Sequence, residues 1–446
     1  MEPLTRQIMK SLKESKHPQF HDTLEELQPY DISMLYKDLP RKHHLKFLLM
    51  LSPQQIAELL QELETEHQQR ILEMLGVQKT GSIMNLMASD DLAALLQELS
   101  PERIAEHLDN MKQKESTIVQ NIMNYPEETA GRLMSSRFIW VKKNYTIRDV
   151  VEKIKKFAAL SEMINYIYVV DENKVLLGVV SHRDIILADE NAFVEDIMYT
   201  RLVSVPVDMD QEKAASLVAR YDFVSLPVIE DDGTLVGIIT VDDMIDVVIQ
   251  EATEDIEKLS AGGKSIDFDT KALTAAIRRL PWLIGLLFIG LISATIIAQF
   301  EKTLEQVVAL AYFMPLIAGM TGNTGTQSLA VVVRGVITRE MTKKVAFKLI
   351  FREMQTGLMI GLTCGALFST IVYVWSGDFA TSLIIGTPLI LTLIIGTLAG
   401  TTIPLLLFKF KVDPAVASGP LITTLNDILS LMIYFGIATA FLSYLL

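Results

Sequence analysis

Apolar and polar residues follow three rhythms along this chain, and each predicts a different kind of element. Between residues 27 and 99 an apolar residue recurs every twelve positions: Leu27, Leu39, Leu51, Leu63, Leu75, Met87 and Leu99. The unit is visible in "LSPQQIAELL" at 51, "MASDDLAALL" at 87 and "LSPERIAEHL" at 99. A Ser cap, often a Pro, and then apolar residues at helical spacing predict short helices. A helix of about two turns cannot bury its apolar side alone, so the helices are expected to stack into an all-α superhelix.

The second rhythm is that of strands. "IYVVDENKVLLGVVSHRDII" (167–186) aligns with "LPVIEDDGTLVGIITVDDMI" (226–245) at an offset of 59. Each copy predicts a β-branched strand, a turn, a second strand, and Gly-x-x-[Ser/Thr]-x-x-Asp running into a helix. "VDDMIDVVIQEATEDIEKLSA" (241–261) then reads as one long acidic helix, followed by the linker Gly262-Gly263.

The third rhythm is the absence of charge. Uncharged stretches occupy 280–300, 306–333, 354–377, 379–408 and 414–446, the last broken by Asp427. Crossing a hydrocarbon core of ~30 Å takes ~20 helical residues, so five transmembrane helices are expected. They fall at about 281–300, 306–335, 354–376, 380–408 and 418–445. The expected organisation is a helical N-domain (1–133), two α/β repeats (134–197 and 198–250), a connecting helix and linker (251–275) and a transmembrane domain (276–446).

Composition agrees: half the 446 residues are hydrophobic, too many for an ordinary soluble protein. Charge sets the orientation. Arg334, Arg339, Lys343, Lys344, Lys348 and Arg352 lie between the second and third spans, Arg278 and Arg279 precede the first, and Lys409 and Lys411 follow the fourth. By the positive-inside rule the N-terminal domains are cytoplasmic and the C-terminus lies outside, in a multi-pass protein of the plasma (inner) membrane. The polar start "MEPLTRQIMKSLKESK" does not read as a signal peptide. The one Cys, Cys364, falls within a span and fits a reducing cytoplasm. Of 54 acidic and 40 basic residues, 7 and 12 lie from 271 onward, leaving 47 and 28, a net −19, in residues 1–270. Such a region repels itself and disfavours nucleic acid; its carboxylates either solvate the surface or attract cations.

Asp427 is the one acid expected at membrane depth. An unpaired carboxylate there is costly, by several kcal/mol on insertion scales, so it faces a cavity, a partner or an ion. One carboxylate does not balance a divalent ion. Two copies on a dyad supply −2, so a homodimer with an interfacial pore is expected. Thr423, Thr424, Asn426 and Ser430 are the neighbouring oxygen donors. "AGMTGNTGTQSLA" (318–330) places Asn323, Thr324, Gly325, Thr326, Gln327 and Ser328 in an otherwise apolar span. Such groups suit the water shell of Mg²⁺, which demands octahedral oxygen geometry and dehydrates reluctantly. Small residues also serve close helix crossings; Gly357, Gly361, Gly365, Gly396 and Gly400 are read that way.

The repeated strand–turn–strand–helix unit resembles paired CBS domains, the adenosine-nucleotide-sensing modules. That resemblance implies ATP or another adenosine nucleotide at Ser181, Arg183, Asp184 and Thr240, with Asp243 in the second copy. The alternative is that Ser181 and Thr240 only cap the following helices.

Over nearly its whole length the chain resembles MgtE-type magnesium channels. The carriers are the order of domains, "EATEDIEKL", "PLIAGMTGNTGTQS" and "VDPAVASGPLITTLNDILSLMIYF". The resemblance implies a homodimer that passes Mg²⁺, with Asp427 of both subunits facing the hydrated ion. It also implies closure by cytoplasmic Mg²⁺ bridging carboxylates. The matching N-domain positions are Glu58 and Asp90. In the CBS region they are Asp210, Glu212, Asp222, Asp243 and Asp246. Glu251, Glu254 and Asp255 follow on the connecting helix, with Asp413 at the base of the last span. The family can carry a further carboxylate one turn after Asp90, where this chain has Ala94, so the resemblance implies either a weaker N-domain site or one that uses Asp91. Competing readings are a broader divalent-cation channel for Mn²⁺ or Co²⁺ and a membrane-anchored nucleotide sensor. An enzyme is not expected, because no nucleophile–base pair, Walker loop or metal-ligand His cluster stands in the sequence.

Overall fold

A computed structural model describes residues 2–14, 17–158, 161, 163–260, 266, 270–338 and 341–445. The Gly262-Gly263 linker and Arg339 lie outside the described residues. The chain divides into two compact units, Met1–Ile249 and Gln250–Leu446.

In the first unit the twelve-residue rhythm becomes a stack of short helices, including Pro53–Gln61, Thr65–Leu75, Val77–Met84, Ser89–Gln97 and Pro101–Asp109. The repeat residue closes each turn the same way: the amides of Leu39, Leu51, Leu63, Met87 and Leu99 donate to the carbonyls of Tyr36, Leu48, Leu60, Met84 and Leu96. Each of these five side chains is buried. Leu75 departs from the pattern, because its helix runs on to Gly76, whose positive φ of 73° makes the turn instead.

Two three-stranded sheets follow. In the first, β1 (Phe138–Lys142) pairs parallel with β2 (Met163–Val170), which pairs antiparallel with β3 (Leu176–Ser181). The second repeats this with β4 (Val205–Pro206), β5 (Ser225–Ile229) and β6 (Leu235–Thr240). The register repeats too: Tyr166 faces Ser181, and 59 residues later Ser225 faces Thr240. A bond of 2.7 Å between the Tyr168 hydroxyl and Ser225 Oγ joins the sheets. The core of the helical stack is continuous with that of the second repeat through Val205, Leu226, Val228 and Ile239, while the first repeat closes a core of its own.

The connecting helix is one element, Val241–Leu259, starting directly after β6. It starts where the long acidic helix over 241–261 is expected to start and runs across the domain limit at 251.

In the second unit, Ala272–Gln299, Lys343–Ser376, Phe379–Lys409 and Gly419–Ala440 are long and apolar enough to cross a membrane. Ala309–Thr338 is 30 residues long, with the polar 321–328 segment diluting its apolar character. The helix Lys343–Ser376 starts eleven residues before the expected span, since its basic first turns are helical too. Phe379–Lys409 is the hub, contacting the helices before and after it. Gly396 and Gly400 admit the backbone of Ala309–Thr338, where added Cβ atoms would collide with the carbonyls of Thr321 and Gly325. Thr397, Thr401 and Thr402 turn their hydroxyls back onto carbonyls of their own helix, which satisfies them in an apolar setting. No residue in the most apolar 18 of Ala272–Gln299 is buried.

Candidate cation pathway and regulatory carboxylates

Asp427 lies in the helix Gly419–Ala440 and is half-buried. No described residue donates to its carboxylate or pairs with it; its backbone carbonyl accepts from Ser430 Oγ at 3.0 Å. One residue away, Asn426 is fully buried and its Nδ2 approaches the Thr321 carbonyl at 3.4 Å. Gly325 sits against that amide so closely that a Cβ would overlap it, and Gly322 sits against Thr423 in the same way.

The 321–328 segment thus splits in two. Thr321, Thr324, Gly325 and Ser328 face neighbouring helices and are buried. Thr324 Oγ1 donates to its own helix at Met320. Asn323 and Gln327, a turn apart, are exposed. The expected lining set is Asn323, Thr324, Gly325, Gln327, Asn426 and Thr423. Thr324, Gly325 and Asn426 are consumed by helix packing; Asn323 and Gln327 are open, and Thr423 is partly open. Periodicity could not separate the two faces, because glycine and threonine suit both roles. The packing reading of Gly357, Gly361 and Gly365 holds: they meet Thr397 and Ile390.

Among the described residues no group of three or more Asp, Glu, His or Cys side chains converges to hold a metal ion. The expected carboxylates fall into smaller sets. In the first unit, Asp91 and Asp243 lie near enough for the charge of Asp91 to act on Asp243, and Asp242 and Asp246 act on Asp91. Burial raises the Asp91 carboxyl above the ordinary range, against a hydrogen bond of 2.6 Å from Gln61 Nε2, and Asp242, Asp246 and Glu62 raise it further. Burial pushes Asp243 up to about 6, against hydrogen bonds from Thr240, and the charges of Asp242 and Asp91 add to the rise. Asp91, the substitute candidate for the carboxylate missing at Ala94, thus lies near enough to the start of the connecting helix to feel Asp242 and Asp246 and to act on Asp243. Asp90 beside it is 9% exposed.

Asp210 and Asp222 cap opposite ends of the helix Gln211–Tyr221, Asp210 accepting from the Lys213 amide and Asp222 taking a left-handed turn. They stand about 18 Å apart at 1.5 Å per residue and cannot share an ion within one chain. Glu212 lies in the first turn of that helix, and Glu58 accepts from Gln54 Nε2 at 3.0 Å.

In the second unit Lys258, absent from the expected set, holds the centre. Its Nζ reaches Asp413 Oδ2 at 2.6 Å and Glu254 Oε1 at 2.5 Å. Burial lowers the ammonium pKa, but its bonds to Asp413 and Glu254 outweigh this, so the net shift is upward. Burial, then the charge of Asp413, raises Asp255, while Lys258 opposes and Glu251 and Glu254 add to the rise. Asp413 also caps the turn Pro414–Val416 through the Ala415 amide at 2.8 Å. The sequence signal for Lys258 was its place one turn after Glu254; what it missed was the approach of Asp413, 155 residues away.

The CBS-type residues are engaged with each other. Ser181 Oγ donates to Asp184 Oδ2 at 2.6 Å and accepts from the Asp184 amide. Thr240 Oγ1 likewise bonds to Asp243. The Ser181 hydroxyl therefore caps its helix, whereas the hydroxyl and amide of Thr240 are both held by the Asp243 carboxylate. Arg183 and Asp184 are exposed, whereas Thr240 is buried.

Residues 27–128 match the MgtE intracellular N domain family, 130–191 and 194–250 match the CBS domain, and 314–437 match the divalent cation transporter family MgtE. The chain is 52% identical to the magnesium transporter MgtE of Bacillus subtilis over 439 residues, covering 98% of this chain and 97% of the relative. This chain belongs to the MgtE family. It is also 36% identical to MgtE of Thermus thermophilus over 98% of both chains, and 40% identical to MgtE of Enterococcus faecalis over 74% of this chain and 73% of that one. The crystal structure of the soluble part of a magnesium transporter aligns with a TM-score of 0.55 at 31% identity, covering 56% of this chain and 99% of that structure. The cytosolic domain of the Mg²⁺ channel MgtE in complex with ATP aligns with a TM-score of 0.52 at 35% identity, covering 55% and 99%. The family fold of the N-domain and CBS pair therefore matches the soluble unit described above.

Proposed function

We propose that the chain is one subunit of a homodimeric Mg²⁺ channel, closed by cytoplasmic Mg²⁺ acting on its acidic domains. The observation that carries this reading is Asp427, a carboxylate without a partner among the described residues, on an apolar helix. Hydrocarbon is an unfavourable neighbour for it, by several kcal/mol. A second copy brought to a dyad supplies the charge a divalent ion needs. The open amides of Asn323 and Gln327 can hydrogen-bond the ion's water shell. The relatives at 52%, 40% and 36% identity are named magnesium transporters, which supports the choice of ion.

The dimer reading draws support from an exposed apolar stripe on the connecting helix. Ile245, Val248 and Ile256 are each more than half exposed, at helical spacing that suits the same face of a second copy. Five spans, with the soluble domains cytoplasmic and the C-terminus outside, follow from counting Ala309–Thr338 among the crossings. We keep the domain limits 1–133, 134–197, 198–250, 251–275 and 276–446 as functional blocks, with the connecting helix shared across 250.

The regulatory donors are carboxylate oxygens, which suit a hard cation, and Mg²⁺ keeps several waters and takes one or two carboxylates. That fits the sets proposed here: Asp91 with Asp243 and Asp246, and Glu254 with Asp413 on either side of Lys258. Asp90, Glu58, Glu212, Asp210, Asp222, Glu251 and Asp255 are further candidates. Bound Mg²⁺ relieves the repulsion within the acidic domains and shifts the population toward the closed arrangement. An adenosine nucleotide is proposed at Ser181, Arg183, Asp184 and Thr240, in keeping with the ATP complex of the similar cytosolic domain.

The deciding experiment is Mg²⁺ uptake into liposomes, wild type beside Asp427→Ala, with Mn²⁺ and Co²⁺ as competing cargo. Loss of flux in the folded variant is expected, and retained flux removes the pore assignment.

A further inference from the structure

Among the described residues, Asp90 and Glu353 are the carboxylates more than nine-tenths buried. Glu353 has no place in the path or the switch derived above, and it lies one residue before the uncharged stretch that marks its span. It stands one turn before Gly357 on the helix Lys343–Ser376, and steps of four put it on the face of Gly357, Gly361 and Gly365, which packs on the next helix. Its Oε2 accepts from Ser328 Oγ at 3.0 Å. Its Oε1 accepts from Arg352 Nε at 3.2 Å and Nη2 at 2.8 Å. Ser328 is 3% exposed, whereas the Arg352 side chain is 58% exposed.

We propose that Glu353 is a positioning residue for the cation path. Through Ser328 it sets the rotation of Ala309–Thr338 and so holds Asn323 and Gln327 toward the ion. The other contacts in the polar stretch of that helix have little directional hold. Its glycines meet neighbours through smooth close crossings, and the hydroxyls of Thr321 and Thr324 bond back to Ile317 and Met320 of the same helix. The Asn426 contact to Thr321 is long, at 3.4 Å, and Tyr434 ties only the start of the helix, at Leu310. A buried charge-assisted bond is directional and strong by comparison. Ser328 adjoins Gln327, so a helix released at Ser328 turns Gln327 with it. Arg352 already holds one oxygen of Glu353, which leaves little free charge for a passing cation and argues for positioning rather than ion contact.

The inference rests on the channel reading above, and its test separates the two. The full chain is reconstituted in liposomes as wild type, Glu353→Ala, Ser328→Ala, the double variant and Glu353→Gln. Each alanine variant is expected to raise half-saturating Mg²⁺ several-fold, with the double variant no worse than the worse single one. Glu353→Gln, which keeps an acceptor for Ser328, is expected to restore most of the wild-type behaviour. In parallel, Gln327→Cys in a Cys364→Ser background is labelled with a membrane-impermeant thiol reagent. Glu353→Ala should change that rate several-fold, a readout that needs no transport. Lower folded yield at unchanged half-saturation and unchanged labelling means a merely structural role and overturns the proposal. Glu353→Gln as damaging as Glu353→Ala, with Ser328→Ala neutral, means a direct charge role and also overturns it. If the wild type passes no Mg²⁺, the channel reading fails, and unchanged labelling in Glu353→Ala then overturns the positioning claim as well.

Discussion

Replacing Asp243 by Asn should stabilise the soluble unit at pH 7 and blunt its response to Mg²⁺. Burial, aided by Asp242 and Asp91, holds the Asp243 carboxyl at about 6 instead of the ordinary 3.8. The folded state therefore binds this proton more tightly than the unfolded state. Its contribution is full below pH 4, falls as pH rises toward 6, and is gone above it. At 1.36 kcal/mol per pKa unit, the ionised form costs the folded state about 3 kcal/mol at pH 7. Partial solvent access and the weaker bond that a neutral amide accepts from Thr240 reduce the expected gain in Asp243→Asn to about 1–2 kcal/mol. For a unit of this size that is a midpoint rise of about 2–4 °C per kcal/mol. The assay is thermal unfolding of residues 1–260, a region that crystallises alone in a similar transporter, followed by fluorescence of Trp140, the one Trp within it. In chelator at pH 7 the variant should melt higher than wild type, and at pH 4.5 the gap should shrink to about a third. Added Mg²⁺ should raise the wild-type midpoint more than the variant's. A variant that melts lower at pH 7 in chelator, or a gain of equal size at both pH values, refutes the argument.

Lys258→Met leaves Glu254, Asp255 and Asp413 without their ammonium; the Mg²⁺ concentration that half-protects the connecting helix from protease should fall several-fold, and an unchanged midpoint counts against Lys258 as a competing cation. Gly400→Leu drives a side chain into the Gly325 carbonyl and should cost about 3 kcal/mol or more, seen as earlier thermal aggregation in detergent. Tyr168→Phe strands the buried Ser225 hydroxyl and should cost about 1–2 kcal/mol, measured as a lower urea midpoint of residues 1–260.

Much of this architecture was written in local patterns. The twelve-residue rhythm, the 59-residue offset and the uncharged runs each report a requirement that neighbours along the chain impose: an apolar face to stack, a strand to pair, a length of helix to span. Those requirements recur at fixed spacing, so reading them needs no knowledge of distant contacts. Asp427 was legible for the same reason, since a lone acid in an apolar run is anomalous in any fold. Other properties depend on which distant residue arrives. Asn323 and Gln327 became separable from Thr324 and Gly325 only when the last two helices covered one side of the segment. Lys258 became a bridge when Asp413 came to it, and Glu353 became buried when Ser328 met it from another helix. Charge and size are carried by the residue itself, whereas burial and partnership belong to pairs, and only the tertiary structure decides the pairs.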